Sequence, residues 1–378
     1  VPPNSRSDAS FGKPGAATDS VAPPDELAAD TCADPGFLRV LAQAGVSLVV
    51  TVQPGHVGCF GCADGRLTAT FTRCAAPFGI ACKDGRLVIA MPREIIAFAL
   101  STRLAPFYPP RPDHYDGIFI PVGSFRTGAC NTHDIELDGP SVVFANTRFS
   151  CLSRSDATSS FIPLWQPPFI SALMPDDRCH LNSFALGDGR IRYATAFASS
   201  DTRQGYRDLP LDAGVIIDVE ANAIAAVGLL KPHSVRLFDN QLYVCNSAAG
   251  EVVRVDLAAR SSTVLAELPG FTRGLRALGD VLLVGLSTLR VTARELDLPF
   301  ARRQESLTAA IVALDRRSGA ELGRLSLPPS ITEVLDFVAV PGVYRACVQD
   351  PAAIGPDIGI ETPAGSYWMK TAAAPEPE

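Results

Sequence analysis

The chain has 378 residues, 47% of them hydrophobic, with a formal net charge of -7 and a mean hydropathy of +0.17, enough for a large buried core in one to three domains. An acidic chain without a Lys/Arg block excludes a general nucleic-acid surface, which depends on neutralising phosphates. Its apolar runs, such as VSLVVTV from Val46, are strand-sized and exclude a membrane-spanning helix.

The first residues, VPPNSRSDASFGKPGAATDS, are rich in Pro, Gly and Ser and lack the apolar stretch of a secretory signal. Residues 1–31 are expected to be a disordered tail and the protein cytoplasmic. Residues 32–45, with CADPGFLRVLAQA, predict a short helix. From residue 46 to 348 short β-rich runs alternate with Asp-Gly, Asp-Asn, Gly-Asp and Pro-Gly turns, the grammar of an all-β chain. Residues 349–378 are expected to form an extension that ends in the solvated AAAPEPE.

Six hairpins recur, beginning near Pro77, Thr132, Cys179, Pro232, Phe271 and Thr332. Most are followed by a second apolar pair, clearest in GEVVRVDLAARSSTVLAELPG from Gly250, so the unit is four strands at a blade-like period. The segment from Ser47 has outer-strand pairs and no inner strand before it, whereas the inner strand near Glu333 has no outer strands after it. Joining them predicts a closed six-bladed β-propeller over residues 46–348, with five or seven blades as the alternatives.

The ten cysteines are scattered, several in apolar strand contexts such as Cys151, Cys245 and Cys347, and read as free buried thiols. Cys59 and Cys62 have CxxC spacing, yet no second pair follows, and at i and i+3 of a strand they face opposite sides. GxSxG, Walker, GxGxxG and HExxH motifs are absent.

Three of the five histidines, His133, His180 and His233, fall at the starts of three successive hairpins, where inner strands enter the central channel. The expectation is a transition-metal site formed by these three, with iron or copper favoured and zinc possible. Asp134, Glu136 and Asn182 would orient the imidazoles. The opposite arc offers Phe78, Arg273 with Thr272, and Glu333 with Asp336; Glu333, Asp336 and Arg273 are the catalytic candidates.

The returning strands would form a rim of Arg93, Asn146 with Arg148, Ser199 with Asp201, Asn246 with Ser247, and Ser287 with Arg290. Gln53 and His56 would join from the closing blade. The substrate-binding candidates are Arg93, Arg148, Arg290, Asn146, Asn246 and Gln53, and their arginines suit an anionic small molecule or peptide. The leading functional expectation is a metal-dependent oxidoreductase or oxygenase; a zinc-type hydrolase, lyase or cyclase and a non-catalytic binding propeller are the alternatives.

The stretches THDIELDGPSVVFANTRFSCLS, PPFISALMPDDRCHLN, LPGFTRGL and VGLSTLR resemble an uncharacterised bacterial family of hypothetical proteins, sometimes joined to tetratricopeptide repeats. The resemblance covers most of residues 45–345 and implies a propeller with His-bearing inner strands, without implying a chemistry. A looser likeness to metal-dependent propeller lactonases and plant-type glutaminyl cyclases is architectural.

Overall fold

The computed structural model describes residues 23–108, 111–259, 261–288, 298–301, 307–352 and 358–369. Six sheets of at least four antiparallel strands form a six-bladed β-propeller. Blade 1 runs from Ile80–Lys83 to Gly117–Phe125, blade 2 from Thr132–Asp138 to Ile162–Trp165, and blade 3 from Leu181–Gly187 to Ala223–Leu229. Blade 4 runs from Pro232–Phe238 to Ser261–Glu267 and blade 5 from Phe271–Leu278 to Glu321–Ser326. Blade 6 joins the two ends of the chain: its inner strand Glu333–Pro341 pairs with Val46–Gln53, which carries the N-terminal strands His56–Ala63 and Arg66–Arg73.

The hairpin turns follow from their residues. Asp64-Gly65, Asp84-Gly85, Asp188-Gly189 and Asp239-Asn240 all have positive φ at both central positions, as the twist of a two-residue hairpin requires. The strands read as continuous apolar runs because both faces are covered. In Ser141–Asn146, Val142 and Phe144 pack toward blade 1, while Val143 and Ala145 pack toward blade 3. One apolar cluster lies at each of the six blade interfaces, so every blade is held from two sides.

Helix α1 (Pro24–Asp30) stands in the segment expected to be disordered, and its Leu27 is buried in the cluster between blades 5 and 6. A short polar sequence gives little helical signal; the buried leucine supplies the anchor. Residues 1–22 of the expected N-terminal tail and the AAAPEPE tail lie outside the described residues. Helix α2 (Pro35–Ala44) is capped by Asp34, which accepts from the Phe37 N–H at 2.8 Å, and ends on left-handed Gly45. Its Phe37 and Leu41 are fully buried. The C-terminal extension contains a hairpin, Ile358–Thr362 with Gly365–Met369, tied to blade 1 by the Trp368 indole N–H donating to the Leu104 carbonyl. No helix among the described residues is long and apolar enough to cross a membrane.

All ten cysteines are free, and only Cys32 is exposed. Cys59 faces the cluster between blades 6 and 1, and Cys62 the cluster between blades 5 and 6. The sheet separates the CxxC pair as its strand spacing predicted. Burial pushes the Cys59 thiol well up, so it is not a thiolate near neutral pH.

Candidate functional site

Where the inner strands enter, the channel opens into a cavity of about 300 Å³ lined by His133, His180 and His233. Each imidazole is anchored through Nδ1. That of His133 donates to the Asn131 carbonyl at 2.8 Å, with the Thr147 hydroxyl 3.0 Å away. That of His233 donates to the Lys231 carbonyl at 3.1 Å, with the Ser247 hydroxyl at 3.0 Å. His180 instead lies 3.0 Å from Asp177 Oδ2. Such anchors set the tautomer and leave Nε2 as the nitrogen available for chemistry. Burial, then Arg273 and the other two histidines, holds the His233 pKa well below the ordinary value, so this ring is neutral near pH 7.

The backbone shows how the third histidine differs. Asn131, His180 and Lys231 are left-handed, with φ of 54°, 54° and 48°. Each begins its blade's entry, and two residues later stand His133, Asn182 and His233. Asn182, not His180, therefore occupies the position equivalent to the other two histidines. His180 reaches the cavity from a strained backbone conformation, held by Asp177 and packed on Tyr206 at 4.8 Å between ring centroids. Asp177 and Gln204, also cavity-lining, have positive φ as well. Non-glycine residues in that region carry strain of about 1–3 kcal/mol and concentrate at functional sites.

The donor chemistry of three anchored imidazoles suits a metal. The His133 ring centroid lies 5.0 Å from that of His180 and 6.2 Å from that of His233. Phe197 packs against His180 at 4.3 Å and against His233 at 5.1 Å, parting them. Among the described residues no group of three or more His, Cys, Asp or Glu side chains is placed to hold a metal ion.

The three residues expected to orient the imidazoles have other tasks. Asp134 forms a bidentate pair with Arg236, at 2.7 and 2.9 Å, and accepts from the Phe184 N–H. Glu136 lies 3.7 Å from Arg276. Asn182 donates to the carbonyls of His180 and Pro232 and accepts from Thr195. Asp336, a catalytic candidate, belongs to the same ionic group below the cavity, 3.4 Å from Arg276 and 3.9 Å from Arg236. Burial raises its pKa while both arginines lower it. Long arginines reach across the channel to carboxylates on other blades, a pairing that register alone does not disclose. Between this group and the histidines is a space of about 10 Å³, close to the smallest that holds one water.

Of the other candidates, Arg273 and Glu333 line the cavity, and so does Arg148 from the rim. Arg93 is exposed and outside the cavity lining. Asn146 accepts from the Phe149 N–H, and Asn246 from the Leu230 N–H; both serve the backbone. Gln53 accepts from the Gly55 N–H and donates to the Pro77 carbonyl. His56 is buried beside Phe71 and does not reach the rim. Arg290 lies outside the described residues.

Sequence reasoning missed Asp177, Phe197, Tyr206, Arg207 and Lys231, all of which line the cavity. Several come from the long connection between Arg190–Ala196 and Gly214–Asp218, whose length was the available signal. This loop is fastened to the segment before His180: Arg178 donates to Asp201 at 2.7 Å, and the Gln204 N–H to the Asp176 carbonyl at 3.0 Å. Tyr206 in turn donates to Asp177 Oδ2 at 3.2 Å. The lining thus carries four cationic side chains, Arg148, Arg207, Lys231 and Arg273, against the carboxylates of Asp177 and Glu333.

No curated protein matches the chain. Among solved structures it is similar to a chain from a nidogen/laminin complex, with a TM-score of 0.52 and 13% identity over 79% of this chain and 99% of the other. A protein of unknown function from Bacteroides caccae gives a TM-score of 0.48 and 10% identity over 78% and 99%. At such identity the first likeness concerns the fold alone. The family model described as a domain of unknown function, DUF4915, matches residues 35–348, and the protein belongs to that family.

Proposed function

We propose that the cavity is the active site of an enzyme acting on a small anionic molecule. Arg148 and Arg273 bind the anion, and His180, held by Asp177, transfers a proton through Nε2. The observation that carries this reading is the Asp177–His180 pair, a cavity-lining imidazole with a carboxylate behind it at 3.0 Å. This is the arrangement by which a general base is oriented. The cationic lining favours an anion, because guanidinium forks match carboxylates and gain strength where water is partly excluded.

The test is a turnover screen of small carboxylates and phosphates on the full chain, with matched neutral amides. His180→Ala is expected to lower turnover by about 100-fold or more while substrate still binds, in line with general acid–base contributions. Arg148→Ala is expected to weaken binding about tenfold. Binding without turnover in the wild type supports the non-catalytic alternative, and equal responses to acids and amides overturn the anionic assignment.

A metal-dependent reaction at His133, His180 and His233 is the second reading, favoured by the Nδ1 anchoring of all three rings. Elemental analysis after reconstitution with iron, copper or zinc decides between them. One equivalent of metal per chain that is lost in His180→Ala would establish the metal reading, and a content well below one equivalent would favour the metal-free reaction.

A further inference from the structure

The histidines and phenylalanines of the cavity form a continuous belt of rings. Phe78 lies 5.6 Å from His133, and His133 lies 5.0 Å from His180. Phe197 touches His180 and His233 at 4.3 and 5.1 Å, and Phe271 follows His233 at 5.4 Å. The belt crosses blades 1 to 5, and all six rings line the cavity, together with Arg148 and Arg273. Offset and edge-to-face contacts with such rings favour a flat π-system over a puckered ring of equal area. Guanidinium groups in the same lining add donors for a carboxylate. We infer that the ligand of this cavity is a planar aromatic or heteroaromatic carboxylate, its ring on the belt and its carboxylate on the arginines. The inference rests on the anionic reading above and adds the shape and the π character of the ligand.

Titration calorimetry on the full chain tests it with benzoate, acetate, cyclohexanecarboxylate, benzamide and phenyl phosphate as probes. Benzoate is expected to bind at least about tenfold more tightly than acetate, since a buried ring removes several apolar carbons from water. It is expected to exceed cyclohexanecarboxylate by about threefold, the aromatic preference, and benzamide by about tenfold. Phe197→Leu should lower the affinity for benzoate to that for cyclohexanecarboxylate. Equal binding of benzoate and acetate, or of benzoate and cyclohexanecarboxylate, overturns the aromatic inference and leaves the anionic reading in place. Equal binding of benzamide and benzoate overturns the anionic reading itself. Tighter binding of phenyl phosphate than of benzoate overturns the carboxylate assignment.

Discussion

Arg236→Ala is expected to destabilise the protein by about 3–5 kcal/mol, the usual effect of breaking a buried ion pair from one side. Arg236 is buried on blade 4 and bridges two other blades, with Asp134 of blade 2 at 2.7 Å and Asp336 of blade 6 at 3.9 Å. Removing the guanidinium leaves the buried Asp134 and Asp336 carboxylates with Arg276 as the remaining nearby cation for Asp336. One must then be protonated or the channel must admit water. Urea denaturation of the single variant and of Arg236→Met with Asp134→Leu separates the two contributions. The double substitution is expected to cost much less, because it removes the charge that the single one strands. A double variant as unstable as the single one would show that the pair matters for its shape and not for its charge.

Phe337→Ala is expected to cost a similar amount, about 3–5 kcal/mol, through a cavity in the core. Phe337 is fully buried on the inner strand of blade 6 and pairs with Val50 of the N-terminal strand. Its ring fits against Gly274, where φ is 74° and an added Cβ would come within 2.8 Å of the ring. The strand that carries it is contributed by the far end of the chain, so the lost packing falls where the ring of blades is closed. The comparison is Val227→Ala on the outer strand of blade 3, where the valine is 71% exposed and a change within about 0.5 kcal/mol is expected. Equal effects of the two substitutions in chemical denaturation would show that closure does not depend on this side chain.

The order of the blades, their number and the closure between chain ends were legible because they depend on local patterns. Asp-Gly turns, continuous apolar runs of strand length and an inner strand without outer partners are written within short stretches. The buried thiols and the separation of Cys59 from Cys62 follow from the same period of two. His133 and His233 were legible as cavity residues for that reason, since they share one register in two blades.

What the sequence by itself determined is therefore the propeller and the blades that bring histidines to its mouth. The tertiary structure decided what each polar residue does there. The shift of two positions at His180 depends on a left-handed backbone that the pattern of apolar residues does not encode. The pairing of Asp134, Glu136 and Asp336 with Arg236 and Arg276 joins residues far apart in the chain, and only the closed channel makes them neighbours. Asp177, Phe197 and Tyr206 lie in loops, which obey no period and take their place from the blades that carry them. Periodicity fixes which face of a strand is buried, whereas a site depends on distances between strands that never meet in sequence.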